Sequence, residues 1–570
     1  MELINFSKAN CRSCYKCLRS CPVKAIRIKN DQARIVEDRC VACGQCLVVC
    51  PQNARHIKSD LDSIKYSIKS GKNTIAIVAP SFSGAFDMKD ELQLVAALKK
   101  LGFKFVEEVA LGAEIITDLY KNAAKKGELK NLITTSCPSV NYLVQIYYPE
   151  LIKYMIPLDS PMLVNGKLIR EKYGEDAFIT FVGPCTAKKF ESIDEENKGI
   201  IDAVLTFDEL HKWLDDEQID LSSLASDNFD ESGSTPGRQF PVLGKLDIGN
   251  NTIYDPTVVD GIDSCIKLFD SMEKGEIEGL FIEALACRGG CIAGPAMPKD
   301  ESDYFVRQKK VKSYIRKQSK NAKIALKPIT SSLDFSKKFE DLSFEKETAS
   351  DEEIVKVLKK MGKLDKSDEL NCGVCGYNTC REKAQAVLDG MAEINMCIHY
   401  IRNKAESISN LVFESSPNAI FTLDEDLLVK DFNPSSERIF STKLEDIKDK
   451  PICMLMDDSS FSKVKETKEN VIANRIHFED KDLVLLENII YMEKQGMFLC
   501  ILTDITTEEK NKAELALMKT KTLDAAQSVI EKQMRVAQEI ASLLGETTAE
   551  TKVILTKLKA IAVKEVSDTK

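Results

Sequence analysis

Nineteen cysteines in a chain of 570 residues are its densest source of chemistry, and their spacing sorts most of them. Cys11, Cys14, Cys17 and Cys21 form one run and Cys40, Cys43, Cys46 and Cys50 a second; Cys137, Cys185, Cys287 and Cys291 sit in three separated motifs; Cys372, Cys375, Cys380 and Cys397 close the series. Only Cys265, Cys453 and Cys500 lack such a context, so sixteen fall into four sets of four. Four thiolates are the ligand set of a cubane iron-sulfur cluster or of a structural zinc ion. Disulfides are the competing use. The opening MELINFSKANCRSC lacks the regions of a signal peptide, and a reducing cytoplasm keeps thiols free for metals or catalysis. The expectation is a cytoplasmic, metal-dense protein.

A chain this long exceeds a usual domain of ~100–150 residues several times over, so several domains must position those sets. The 44% hydrophobic and 29% charged residues are ordinary for a globular protein, and the formal net charge of -10 speaks against nucleic acid or an anionic membrane as partner. No apolar run approaches the ~18 residues of a membrane span. The expected fold class is α/β and α+β multidomain.

CRSCYKCLRSCP and CVACGQCLVVCP are an internal repeat, two cysteine runs each closed by a proline. Residues 1–58 thereby resemble bacterial two-cluster ferredoxins, in which the fourth cysteine of each run serves the other cluster. The resemblance implies one 4Fe-4S cube on Cys11, Cys14, Cys17 and Cys50, and a second on Cys40, Cys43, Cys46 and Cys21. AIRI and ARIVE suit the little strands that wrap the cubes, because so short a segment builds no sufficient core without metal staples.

Within residues 70–345, the apolar run NTIAIVAPSF and the helix-period stretch MKDELQLVAALKKLGF begin an alternation of strands and helices. It is punctuated by TTSCPSV, FVGPCTAKKFE and EALACRGGCIAGPAMP, and the glycines between Cys287 and Cys291 let backbone approach a bulky inorganic group. These motifs resemble those of the FeFe hydrogenase large subunit. The resemblance implies an H-cluster: a 4Fe-4S cube on Cys137, Cys185, Cys287 and Cys291, with Cys291 bridging to a two-iron subcluster carrying CO, CN and azadithiolate. It implies that Lys188 donates a hydrogen bond to a cyanide, where a cation suits a buried anionic centre, and that Glu191 belongs to the proton path. Family members depend on maturation proteins, without which the two-iron unit is expected to be absent.

Ser136 departs from that family, whose fast members carry a second cysteine there as proton relay. A thiol with a reference pKa of ~8.5 exchanges protons far more readily than an aliphatic hydroxyl, so slow turnover with intact ligation is expected. Gly183 and Leu285 replace the methionines usual around the two-iron unit. The departures resemble the sensory branch of the family. The basic stretch VRQKKVKSYIRKQSKNAK reads as a solvated helix face or a dock for an acidic electron carrier.

Residues 350–402 resemble the small 4Fe-4S domains attached to hydrogenase and corrinoid proteins, with Cys372, Cys375, Cys380 and Cys397 as ligands and zinc as the competing metal. REKAQAVLDGMAEI reads as one helix that continues through IRNKAESISNLVF. Residues 403–510 resemble a PAS sensor domain, on Asn433 after the second strand, the helix SSERIF, and Asp504-Ile505-Thr506 where strand gives way to helix. There His477 reads as a surface residue, and Cys453 and Cys500 as buried small apolar residues. Residues 511–570 read as two signalling or dimerisation helices: Leu523, Ile530, Ala537 and Leu544 are spaced by seven, Gly545 breaks the pattern, and Ile554, Leu558 and Ile561 share a face of the second.

The combined expectation is a sensory hydrogenase that binds and slowly, reversibly splits dihydrogen. It would relay redox or ligand state to the PAS domain and to a separate signalling protein, a kinase or phosphatase acting in trans, as a homo-oligomer through the PAS domain and C-terminal helices. The alternatives are a catalytic hydrogenase linked to a redox protein such as ferredoxin, and a non-enzymatic iron-sulfur scaffold.

Overall fold

The cysteine runs leave room only for short strands at the amino end: β1 (Ile4–Phe6), β2 (Ile26–Lys29), β3 (Gln32–Ile35) and β4 (Arg55–Ile57). The computed structural model describes residues 4–6, 10–249, 252–298, 303–321, 333–345, 347–544 and 553–560, in two units, Met1–Ile401 and Arg402–Lys570. β2 and β3 form a hairpin with Ile26 opposite Ile35, so AIRI and ARIVE supply strands as expected, and β1 pairs antiparallel with β4. Each cysteine run also folds one short helix, Lys16–Arg19 and Gln45–Val48, entered through left-handed Tyr15 (φ 55) and Gly44 (φ 72).

Two parallel sheets follow, built from β5 (Thr74–Val78), β6 (Phe105–Glu108), β7 (Leu132–Ile133), β8 (Phe178–Gly183), β9 (Ala203–Thr206), β10 (Asp255–Asp260) and β11 (Leu280–Leu285). Their orders are β6-β5-β8-β9 and β10-β11-β7. β5 and β8 are buried along their whole length, the signature of strands covered on both faces. Helices such as Ala110–Lys126 and Pro161–Tyr173 run between the strands. Ligands gather at the carboxyl ends of parallel strands. There the chain places Cys137 after β7, Cys185 after β8, and Cys287 and Cys291 after β11.

The basic stretch forms most of the helix Tyr304–Asn321, which buries Val311 and Tyr314 and turns Lys309, Arg316 and Lys317 outward; positions 322 and 323 of the stretch lie outside the described residues. Its anchor is polar. Glu108, fully buried at the end of β6, accepts from Tyr314 Oη at 2.5 Å and from Arg238 Nη2 at 2.7 Å.

In the next segment the expected single helix is two. The first, Cys380–Leu388, ends where Gly390 turns left-handed (φ 69), with the Met391 N–H closing on the Ala386 carbonyl at 2.8 Å. A short 3-10 turn, Ile394–Met396, then precedes the helix Ile398–Ser415. The break is what returns Cys397 towards the other three cysteines of its set.

The second unit holds a five-stranded antiparallel sheet of β12 (Ala419–Asp424), β13 (Val429–Phe432), β14 (Val471–Phe478), β15 (Leu483–Met492) and β16 (Met497–Asp504), in the order β13-β12-β16-β15-β14. Alternate residues of β12 and β16, including Phe421 and Cys500, enter its core. Cys453, expected to be buried, is exposed on the turn Ile452–Met454, because Ile452 takes the inward position. His477 is exposed. The helix Thr506–Leu544 follows, and residues 553–560 are helical; Gly545 and Ile561 lie outside the described residues. Among the described residues no helix is long and apolar enough to cross a membrane.

Candidate metal centre

Cys137, Cys185, Cys287 and Cys291 line one enclosed cavity of about 30 Å3. Cys43 lines it too, and its neighbour Gly44 comes so close to Thr186 and Pro295 that an added Cβ would lie 2.5 Å from the Thr186 hydroxyl. Burial first, and then mutual repulsion, lifts the thiol pKa values: Cys185 to about 11, Cys291 to about 12, Cys287 far above its usual value. Such a set holds its protons until cationic metal displaces them. Gly289 (φ 86) and Gly290 (φ 67) carry the chain between Cys287 and Cys291, and a Cβ on Gly294 would sit 2.5 Å from the Pro184 carbonyl, drawing the Cys185 and Cys291 loops together.

Lys188 and Glu191 face each other one turn apart on the helix Ala187–Ile193. The ammonium lies 2.7 Å from Glu191 Oε2 and 3.4 Å from the Ser136 carbonyl, and its charge favours the thiolates of Cys137, Cys185 and Cys291. Glu191 also accepts from Ser160 Oγ at 2.9 Å. Ser136 is half-buried beside Tyr120, whose phenol burial pushes up to about 12. The structure thus brings Ser136, Lys188 and Glu191 to the edge of the cysteine cavity.

Two features escaped the sequence reading. Glu191 also lines an open cleft of about 250 Å3 with Asp194, Glu195 and Glu196, in which Tyr142 Oη donates to Asp194 Oδ2 at 2.8 Å and burial raises the Asp194 carboxyl. Nothing in the spacing links Tyr142 to Asp194, since the helices Pro161–Tyr173 and Ala187–Ile193 and the strand β8 lie between them. Ser81, 1% exposed, ends the run NTIAIVAPS with an unpartnered hydroxyl. β5 pairs with β8, the Ala79 N–H donating to the Val182 carbonyl at 2.8 Å, so Ser81 and Cys185 follow the carboxyl ends of neighbouring strands. A serine just past the carboxyl end of a buried parallel strand was the available signal.

The other sets also gather. Cys372, Cys375, Cys380 and Cys397 line a single cavity of about 20 Å3 with the buried Lys363 and Lys383. Cys21 acts electrostatically on Cys40, Cys43 and Cys46 and feels Cys17, and Cys17 feels Cys11. Four thiols around one cavity are the donor chemistry of a 4Fe-4S cube or of a zinc ion.

Residues 72–246 and 244–295 match the family described as iron only hydrogenase large subunit, C-terminal domain. The chain is similar to FeFe hydrogenase large subunits. Residues 3–51 match the 4Fe-4S dicluster domain and residues 368–399 an Fe-S cluster family, which supports 4Fe-4S clusters in both segments. The periplasmic Fe hydrogenase large subunit of Nitratidesulfovibrio vulgaris is 29% identical over 365 residues, 52% of this chain and 87% of that protein. Iron hydrogenase 1 of Clostridium pasteurianum is 25% identical over 302 residues, 42% of this chain and 52% of its own, so the match spans about half its length. The cytosolic Fe-S cluster assembly factor NAR1 of Vanderwaltozyma polyspora is 31% identical over 119 residues, 21% of this chain and 22% of that protein. The hydrogenase-like part is thus shared with both hydrogenases and assembly proteins.

Proposed function

We propose that the chain is a sensory FeFe hydrogenase that binds dihydrogen and splits it slowly and reversibly. The observation that carries this reading is the enclosed cavity of Cys137, Cys185, Cys287 and Cys291, with the Lys188–Glu191 pair intact at its edge and Ser136 in place of a thiol relay. Those cysteines would hold the cube of an H-cluster, Cys291 bridging to the two-iron unit, which when bound supplies a Lewis-acidic position for dihydrogen. Lys188 would donate to its cyanide, the orphaned Ser81 hydroxyl offers a second donor, and Glu191 would hold a proton that the Asp194 cleft passes to solvent.

Twelve further cysteines would hold three more cubes, two in residues 1–58 and one on Cys372, Cys375, Cys380 and Cys397. The five-stranded sheet order and the helix that starts at Thr506 support a PAS reading of residues 403–510, with residues 511–570 joining a second copy and a separate kinase or phosphatase as output. A cytoplasmic setting, ferredoxin exchange and maturation proteins belong to the same proposal.

The test is an anaerobic infrared spectrum of matured protein with and without dihydrogen. Carbonyl and cyanide bands that shift reversibly support the reading; a blank spectrum from fully matured protein sinks it and favours the scaffold reading that the likeness to NAR1 motivates. Ser136→Cys separates sensor from fast enzyme: turnover should rise on the order of 10²-fold if the hydroxyl limits relay. A native protein already fast, with no gain in the variant, would leave the catalytic reading.

A further inference from the structure

We infer that Lys383, assisted by Lys363, makes the site of Cys372, Cys375, Cys380 and Cys397 the preferred resting place of an electron in this chain. The inference rests on the proposed four cubes and goes beyond them by naming which set is reduced first. Both lysines line that set's cavity, Lys383 1% and Lys363 5% exposed. Their ammoniums are held by peptide carbonyls: Lys383 donates to Glu393 O at 2.6 Å and Lys363 to Asp368 O at 2.5 Å. Among the described residues neither has a carboxylate within ion-pair distance. Burial lowers the Lys383 pKa, and the charges that oppose this are first the thiolates of Cys375, Cys397 and Cys380, and after them the carboxylate of Glu393.

A buried ammonium is unfavourable unless negative charge answers it, and each electron added to a four-thiolate site is one more negative charge. A fixed cation at the edge of the cavity therefore favours the reduced state. Among the described residues the cations beside the other sets are paired or shared: Lys24, which donates to the Leu18 carbonyl at 3.4 Å, is acted on by both Cys21 and Cys375. Lys188 is paired to Glu191 at 2.7 Å, and Arg55, 3.9 Å from Cys17 Sγ, also acts on Cys40 and Cys46, so one guanidinium serves two sets.

The site is also placed to collect. Cys43 lines the cavity of Cys137, Cys185, Cys287 and Cys291 and senses Cys21, while Cys21 and Cys375 act on the same two side chains, Lys24 and Tyr377. Gly376 packs so tightly on Leu18 that an added Cβ would lie 2.8 Å from its Cγ. Splitting one dihydrogen releases two protons to solvent and two electrons; a cube accepts one electron, so the first rests here and the second on a neighbouring set.

The test is an electrochemical reductive titration of full-length, cluster-loaded protein followed by electron paramagnetic resonance, which needs no dihydrogen turnover. The signal that Cys372→Ser abolishes should be the first to develop. Lys383→Met should lower its reduction constant about tenfold, ~59 mV for one electron, with Lys383→Arg restoring most of the loss and the other signals unmoved. Lys363→Met should shift it the same way by less, and Lys383→Gln replaces Lys383→Met if that variant fails to load. The inference is overturned if any other cube's signal develops before this one in the parent protein, or if neither lysine variant moves it. A failed dihydrogen reading shows separately, as a blank infrared spectrum, and leaves the titration readable.

Discussion

Replacing Lys188 with methionine removes the cation from a pair whose side chains are 10% and 2% exposed. Glu191 then keeps only Ser160 Oγ at 2.9 Å as a side-chain partner. Orphaning one member of a buried pair costs ~3–5 kcal/mol, and the surviving hydrogen bond to a charged group offsets ~1.5–3, which leaves a deficit of about 2 kcal/mol. The assay is thermal unfolding of the 4Fe-4S-loaded protein without its two-iron unit, so that stability is read apart from activity. Lys188→Met combined with Glu191→Gln removes the orphaned charge and should recover ~1–3 kcal/mol of that loss. A single variant as stable as the parent at neutral pH, or a double variant no better than the single, would each refute the reasoning.

Local geometry sets three more outcomes. Cys21→Ser should abolish the resonance of the cube shared with Cys40, Cys43 and Cys46, and Cys50→Ser that of the other; if Cys21→Ser and Cys14→Ser remove the same signal, the crossed assignment fails. Gly294→Ala drives a Cβ to 2.5 Å from the Pro184 carbonyl, a backbone clash of ~1–3 kcal/mol that should part the Cys185 and Cys291 loops. Iron analysis should then show one cube lost, and full iron content would refute it. Burial lifts Glu283 to about 7, against the N–H groups of Gly244 and Leu246 that favour its carboxylate. Its ionisation therefore erodes stability as pH rises from ~4.3 through 7, and Glu283→Gln should flatten that slope by about 3 kcal/mol in melting curves against pH; parallel curves would refute it.

Candidate ligand sets could be proposed because cysteine spacing is a local code, and the structure brings Cys21 within electrostatic reach of Cys40, Cys43 and Cys46. Strands were legible where the apolar run was short and bounded, as in NTIAIVAP. The helix from Cys380 was read too long because its apolar periodicity continues past Asp389, while Gly390 turns the chain to bring Cys397 back. Cys453 was misread because composition does not say which residue of a turn faces inward, and Ile452 does. Nothing in the spacing singles out Lys383; it is buried beside four cysteines that meet only in three dimensions. The Tyr142–Asp194 bond and the orphaned Ser81 are tertiary in the same sense.

The proposed sensory role places a quantitative demand on the helix Ile398–Ser415, which begins directly after Cys397. The Cys397 carbonyl accepts from the Ile401 N–H at 3.0 Å, so this candidate ligand is the first residue to bond into that helix. An electron resting at this set adds negative charge at a helix amino terminus, where the helix dipole favours it. Such a charge is worth ~0.3–1 kcal/mol, a bias of roughly two- to five-fold. Carrying a two-state element from one extreme to the other takes about 5.5 kcal/mol. Two copies acting together supply at most ~2 kcal/mol from this source. The electron therefore tilts the helix and does not throw it, and the remaining discrimination must come from a partner that binds one arrangement more tightly than the other.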